Sequence, residues 1–265
     1  MSEVLVRAAT ADDGALLAYE ATGEGPPDVL FLHGWAGSAR SFEETVAALD
    51  TTRLRAITFD LRGHGRSQDH HDHSLDRIAR DALAVADAAG AGELVLVGFS
   101  MGARVAQQLA LHAPARLAGL VLVAGCPTGE LPLPPEVTTD WCGRQGDAGR
   151  MGEMLRSFAR GPLDPAVVAR FGEDAARIPL DALQGTLESA TDGSFAGEVG
   201  AIAVPALVIG GAGDPLFTPE LLRTAVVDPL PRARLLLLDA GHEIPSEAPA
   251  ELAIAIEAFV AGAGR

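Results

Sequence analysis

Short apolar runs alternate along this chain with segments that read as helices. The runs are Asp28-Val29-Leu30-Phe31-Leu32, Arg55 to Phe59, Glu93-Leu94-Val95-Leu96-Val97, Leu117 to Ala124, Ala206-Leu207-Val208-Ile209 and Leu235-Leu236-Leu237-Leu238. Runs of this length without polar alternation predict buried strands. Helices are predicted at about Ser41 to Leu49, Ser74 to Gly90, Ala103 to Leu111 and Ala248 to Phe259. An initial hairpin, Val4 to Arg7 with Ala15 to Glu20, precedes them. The alternation predicts an α/β chain with a mostly parallel sheet and helices on both faces.

Between Pro127 and about Val199 the rhythm breaks. Leu131-Pro132-Leu133-Pro134-Pro135 continues neither a helix nor a central strand. Helical segments follow at about Val137 to Cys142, Met151 to Ala159, Pro165 to Phe171 and Leu180 to Ala190. The expected organisation is a core of residues 1–126 and 200–265, with a helical cap, 127–199, inserted after the sixth strand. Trp141, Met151, Met154, Leu155 and Phe158 are its candidate pocket walls. Each of them also suits packing of the cap onto the core.

The richest motif is Gly98-Phe99-Ser100-Met101-Gly102, between a predicted strand and a predicted helix. In that context Gly-x-Ser-x-Gly describes a nucleophile elbow. Its turn strains the Ser100 backbone and lifts the hydroxyl beside the positive end of the next helix. An acid and a histidine follow in order. The strand at Ala206 ends in Gly210-Gly211-Ala212-Gly213-Asp214-Pro215, and the strand at Leu235 ends in Asp239-Ala240-Gly241-His242-Glu243. All three residues fall past carboxyl ends of strands, where open α/β sheets bind ligands. Asp239 is too near His242 along the chain to orient its ring easily, and Glu243 is expected to face solvent.

These types suit acyl transfer. Ser100 attacks, His242 takes and returns its proton, and Asp214 holds the other ring nitrogen. The backbone N–H of Met101 is one candidate oxyanion donor. The loop His33-Gly34-Trp35-Ala36-Gly37-Ser38 supplies the other, the N–H of Trp35. His33 reads as a structural histidine bonding neighbouring loops. Trp35, Phe99 and Trp141 are the candidate substrate-binding residues.

On these residues the chain resembles the α/β-hydrolase fold superfamily. The matching pieces are Phe31 to Trp35, Phe59-Asp60-Leu61-Arg62-Gly63-His64-Gly65-Arg66-Ser67, Gly98 to Gly102, Asp214-Pro215 and Gly241-His242. Their wording is similar to bacterial aryl esterases, cofactor-free haloperoxidases (perhydrolases) and enol-lactone hydrolases. The resemblance implies that the charges of Arg62 to Arg66 are structural pairs. Some relatives carry the acid after the strand preceding the cap, but Gly125-Cys126-Pro127 offers no carboxylate there. Ser100, rather than Asp or Cys, implies acyl transfer and not dehalogenation, epoxide opening or dienelactone chemistry. The expectation is a serine hydrolase of a carboxylic ester, acting through an acyl-enzyme without metal or cofactor on a small to medium, largely uncharged acyl substrate. Lactonase, thioesterase, C–C hydrolase or lyase activity, and a non-catalytic small-molecule receptor, stay open.

Composition narrows partners more than chemistry. The 265 residues carry a formal net charge of −16, and every one of the 20 basic residues is Arg. This disfavours nucleic acid, anionic membranes and strongly anionic substrates. No run reaches the roughly 18 apolar residues of a membrane span, and Met1 to Arg7 is too polar for a signal peptide. A cytoplasmic monomer or homodimer is expected. Cys126 and Cys142 are too few for a disulfide framework. His64, His70, His71, Asp72 and His73 invite a metal reading, but the run is expected to be a solvated loop.

Overall fold

The computed structural model describes residues 5–263. Its strands are β1 (Arg7–Thr10), β2 (Leu16–Thr22), β3 (Asp28–Leu32), β4 (Arg55–Phe59), β5 (Leu94–Phe99), β6 (Leu117–Val123), β7 (Ala206–Gly211) and β8 (Ala233–Leu238). They form one sheet in the order β1-β2-β4-β3-β5-β6-β7-β8. β1 and β2 are antiparallel to their neighbours, and every pair from β4 to β8 is parallel. The predicted first strand is corrected. Val4 lies outside the described residues, Leu5 and Val6 are not in a strand, and pairing begins at Arg7.

The helices, in chain order, are α1 (Glu43–Ala48), α2 (Leu75–Ala88), α3 (Met101–His112), α4 (Pro135–Cys142), α5 (Ala148–Phe158), α6 (Pro165–Ala176), α7 (Leu180–Thr191), α8 (Pro219–Leu222), α9 (Ile244–Glu247) and α10 (Pro249–Ala263). The predicted helix from Ser41 is shorter than expected, because a 3-10 turn, Ala39–Phe42, precedes α1. Helix α2 starts where the Ser74 side chain accepts the Arg77 N–H, satisfying a free donor of its first turn.

The central strands are buried on both faces because successive side chains point to opposite layers. Val29 and Phe31 of β3, with Val95 and Val97 of β5, pack with Phe42, Leu252 and Ile256. Leu30, Leu32, Leu94 and Leu96 pack on the other face with Ile78, Val105 and Leu109. Among the described residues no helix is long and apolar enough to cross a membrane.

Helices α4 to α7 lie between β6 and β7, with α5 against α6. Their apolar residues Met151, Met154, Ile178, Leu183 and Leu187 form a cluster with Ala36, against which Trp35 and Trp141 pack. The segment is tied back by Arg104 of α3, which is fully buried. Its guanidinium donates to the carbonyls of Pro127, Gly129 and Ala190 at 3.0, 2.8 and 3.2 Å, and to those of Asp192 and Gly193 at 2.8 and 2.6 Å. One side chain thus holds both ends of the helical segment.

Elsewhere, Arg62 makes a buried two-pronged pair with Asp81 at 2.6 and 2.9 Å, and Arg66 bonds Asp60 at 2.9 Å. These are the structural pairs expected. The expectation of a solvated histidine loop is half right. His70 and His71 are exposed, whereas His64 and His73 are buried against the Arg62 carbonyl and Asp69. Burial pushes His64 down to about 3, so its ring is neutral. Cys126 and Cys142 are free and buried.

Candidate active site

Ser100 ends β5 and opens α3 with φ +52° and ψ −114°. A non-glycine residue in that region is strained, and the strain is held by neighbours. The Ser100 N–H donates to Val123 O at 2.9 Å, and its carbonyl accepts from Ala103 N at 3.0 Å. The flanking glycines are required by close approach. A Cβ on Gly98 would stand 2.6 Å from Ala103 Cα, and one on Gly102 would stand 2.7 Å from His33 O.

Asp214 leaves the carboxyl end of β7, and His242 lies between β8 and α9. The two rings of contact close on each other. His242 Nε2 is 3.0 Å from Ser100 Oγ, and Nδ1 is 2.9 Å from Asp214 Oδ2. An ionised carboxylate only accepts, so Nδ1 carries the proton and Nε2 accepts from the serine hydroxyl. Asp214 is fixed in turn, because its Oδ1 accepts the N–H groups of Leu216 and Phe217 at 2.7 and 2.9 Å. Asp214 and His242 are 4% and 3% exposed, so water competes little for these bonds. The rival acid Asp239 is exposed and pairs with Arg160.

A cavity of about 270 Å³ opens on Ser100 and His242. Trp35, Phe99, Met101 and Trp141 all line it, so the sequence-expected oxyanion and substrate-binding positions meet at one place. Gly34 brings the Trp35 loop close to Ser100, since a Cβ there would stand 3.3 Å from Ser100 Cβ. Trp35 Nε1 donates to Leu183 O of α7 at 2.8 Å and stacks on Trp141, with ring centroids 5.6 Å apart. His33 is buried, with Nδ1 2.8 Å from Gly34 O and Nε2 accepting from Leu61 N at 3.0 Å, the structural role expected.

Of the proposed walls, Met154 and Phe158 line this cavity. Met151 packs inside the helical cluster, and Leu155 faces a smaller neighbouring cavity instead. Phe171 and Phe217 also line it, and sequence reading missed both. Phe217 lies three residues past Asp214 and packs edge-on against the His242 ring at 5.3 Å. Its place in the chain was a usable signal; that of Phe171 was not.

Glu243 is the main correction. It is 7% exposed rather than solvated, and it lines the cavity beside His242. The His242 N–H donates to Phe158 O at 2.9 Å, so α5 lies over this loop and shields it. Burial pushes Glu243 up to about 7; Glu247 and Asp214 add to that, and His242 opposes it.

Residues able to ligate a metal do meet elsewhere. Asp69, His71 and Asp181 bring ligand-type atoms within 4.8 Å of one another, away from Ser100, and they hydrogen-bond among themselves.

The sequence profile of the α/β hydrolase fold matches residues 27–163. A pimeloyl-[acyl-carrier protein] methyl ester esterase from Nitrosomonas europaea is 32% identical, over 86% of this chain and 93% of its own length. The chain belongs to the α/β-hydrolase fold family. This α/β hydrolase is also 30% identical to a non-heme haloperoxidase of Rhodococcus erythropolis, over 77% of this chain and 81% of that one. Among solved structures, a thermophilic esterase from Thermogutta terrifontis superposes with a TM-score of 0.80 at 26% identity, covering 98% of this chain and 99% of its own. The family expectation drawn from the motifs is thus borne out.

Proposed function

We propose that this α/β hydrolase is a serine carboxylesterase acting through an acyl-enzyme, with residues 127–199 as the cap over its acyl pocket. The observation that carries the reading is the chain Asp214–His242–Ser100, with links of 2.9 and 3.0 Å and its acid and imidazole buried, opening on a largely apolar cavity.

In this mechanism His242 Nε2 takes the Ser100 proton as Oγ attacks the ester carbonyl. Asp214 stabilises the imidazolium without accepting its proton. The N–H groups of Trp35 and Met101 receive the oxyanion, and the positive end of α3 adds to their field. His242 then protonates the leaving alkoxide, and a water activated by the same nitrogen releases the acid. The chemistry uses side chains and backbone of this chain alone. Relatives named as esterases on comparable lengths support the bond type. The same reading assigns the enzyme to the cytoplasm, in keeping with free, buried Cys126 and Cys142.

Turnover of p-nitrophenyl acetate, butyrate and octanoate, with Ser100→Ala in parallel, tests the reading. Ser100-dependent turnover is expected, with a fall of about 10⁴-fold or more in the variant. Unchanged hydrolysis by Ser100→Ala refutes it. A single stoichiometric burst without turnover would identify a receptor instead.

A further inference from the structure

Six aromatic rings meet around the reacting groups. Both tryptophans of the chain and four of its nine phenylalanines line the cavity: Trp35, Trp141, Phe99, Phe158, Phe171 and Phe217. The stacked pair Trp35–Trp141 is met edge-on by Phe158, 5.4 Å from Trp141, and Phe158 in turn meets His242 at 6.1 Å. Ring faces carry negative potential and attract organic cations within about 6 Å of the centroid.

Charge in the lining points the same way. Glu243 is the one carboxylate among the described residues lining the cavity, and no arginine is among them. The acid is buried without an ion-pair partner among the described residues. His242 beside it is committed to Asp214, and Glu247 at the end of α9 accepts from Gly241 N and Arg160 N. Glu243 also borders a smaller cavity that holds Arg40, Arg170 and Asp174. Arg40 there pairs with Asp174 and Glu43, and Arg170 with Glu43 and Glu44. A buried acid without a counter-charge either keeps its proton or waits for a cation. The whole chain, at −16, adds a long-range field that draws cations in.

We propose that the cavity takes an ester bearing an organic cation, a quaternary or protonated ammonium group, held by the aromatic faces with Glu243 as its counter-ion. This rests on the esterase reading and replaces the largely uncharged substrate expected from the sequence with a cationic one. An aromatic neutral ester would use the rings but leave Glu243 idle. Binding an ammonium group favours the carboxylate, so the bound complex releases a proton and forms more readily as pH rises through about 7.

Acetylcholine and 3,3-dimethylbutyl acetate differ only in a charged nitrogen against a neutral carbon. The ratio of their kcat/KM values, cationic over neutral, is expected to be at least about tenfold at pH 8, and several-fold smaller at pH 6. In Glu243→Gln it is expected to fall towards one at both pH values. A ratio at or below one at pH 8, or a ratio that survives Glu243→Gln, overturns the proposal.

A second arm needs no turnover. Tetraethylammonium titrated into Ser100→Ala is expected to quench tryptophan fluorescence saturably, because both tryptophans line the cavity. The quench is expected to be lost in Ser100→Ala/Glu243→Gln. No saturable change in Ser100→Ala overturns the proposal. Binding of tetraethylammonium with neither ester cleaved would refute the esterase reading alone. Cleavage of the neutral ester with no cation preference would refute this inference alone.

Discussion

Replacing Arg104 with Met removes the charge that joins the two ends of the helical segment between β6 and β7 while nearly keeping side-chain length. Five backbone carbonyls lose the guanidinium at distances of 2.6 to 3.2 Å, and only the weak S–H donor of Cys126 stays near two of them, 3.2 Å from Ala190 O and 3.7 Å from Pro127 O. Those of Gly129, Asp192 and Gly193 sit on residues with access to water and can be rehydrated, whereas Pro127 and Ala190 are buried. A buried acceptor left without a partner costs about 1–3 kcal/mol. One full loss and one softened by the single Cys126 S–H, partly offset by a well-packed methionine, leave a net destabilisation of about 2–4 kcal/mol. That corresponds to a fall in Tm of roughly 4–7 °C for a chain of this size. Arg104→Lys should fall between, since an ammonium offers three donors at one point instead of a planar fork. Urea unfolding followed by circular dichroism gives both values, and KM for the octanoate ester should rise in Met more than in Lys. A Met variant within about 1 kcal/mol of the parent, or one no worse than Lys, would show that carbonyl pairing does not hold the helical segment.

Three further outcomes are expected. Asp214→Asn should lower kcat about 10³- to 10⁴-fold, by disturbing the tautomer that presents Nε2 to Ser100, while circular dichroism stays unchanged; a loss under tenfold in steady-state kinetics would contradict the role. Gly102→Ala should lower stability by about 1–3 kcal/mol or prevent folding, since its Cβ meets backbone oxygen of the β3 loop that cannot rotate away; a normal melting curve would show that the elbow yields. Glu243 binds its proton more tightly folded, at about 7, than at its ordinary value of 4.5. Between those values the unfolded chain carries fewer protons, so this group's contribution to stability falls as pH rises, by roughly 3 kcal/mol in all. Glu243→Gln should therefore gain on the parent between pH 4.5 and 8, and a pH-independent difference in urea unfolding would disprove it.

The sheet was legible because its central strands are apolar on both faces, a pattern that Val29 to Leu32 and Leu94 to Val97 display over a few residues. The three site residues were legible for a related reason: each directly follows such a run, and strand ends share one edge. What escaped depends on distant chain. Glu243 reads as a solvent-facing neighbour of His242 until the end of α5 lies over the loop, through a bond from His242 N to Phe158 O. Arg104 reads as an ordinary helical residue, since its partners lie 23 to 89 positions away. Pocket walls split likewise. Met154 and Met151 stand three apart on one helix, yet only Met154 reaches the cavity, because the turn of α5 sends Met151 into the helical cluster.

The two ends of the helical segment meet on one guanidinium, so the sheet experiences everything between them as a closed loop. Closing such a loop costs little more when it lengthens, since the entropic penalty grows only with the logarithm of residue number. The segment is thus a replaceable cassette. A graft from another member of the fold, trimmed to deliver its first and last carbonyls to Arg104, could remodel the cavity without renegotiating the sheet or the Ser100 turn. Chimeras joined at those carbonyls should tolerate foreign helices far better than chimeras joined a turn to either side.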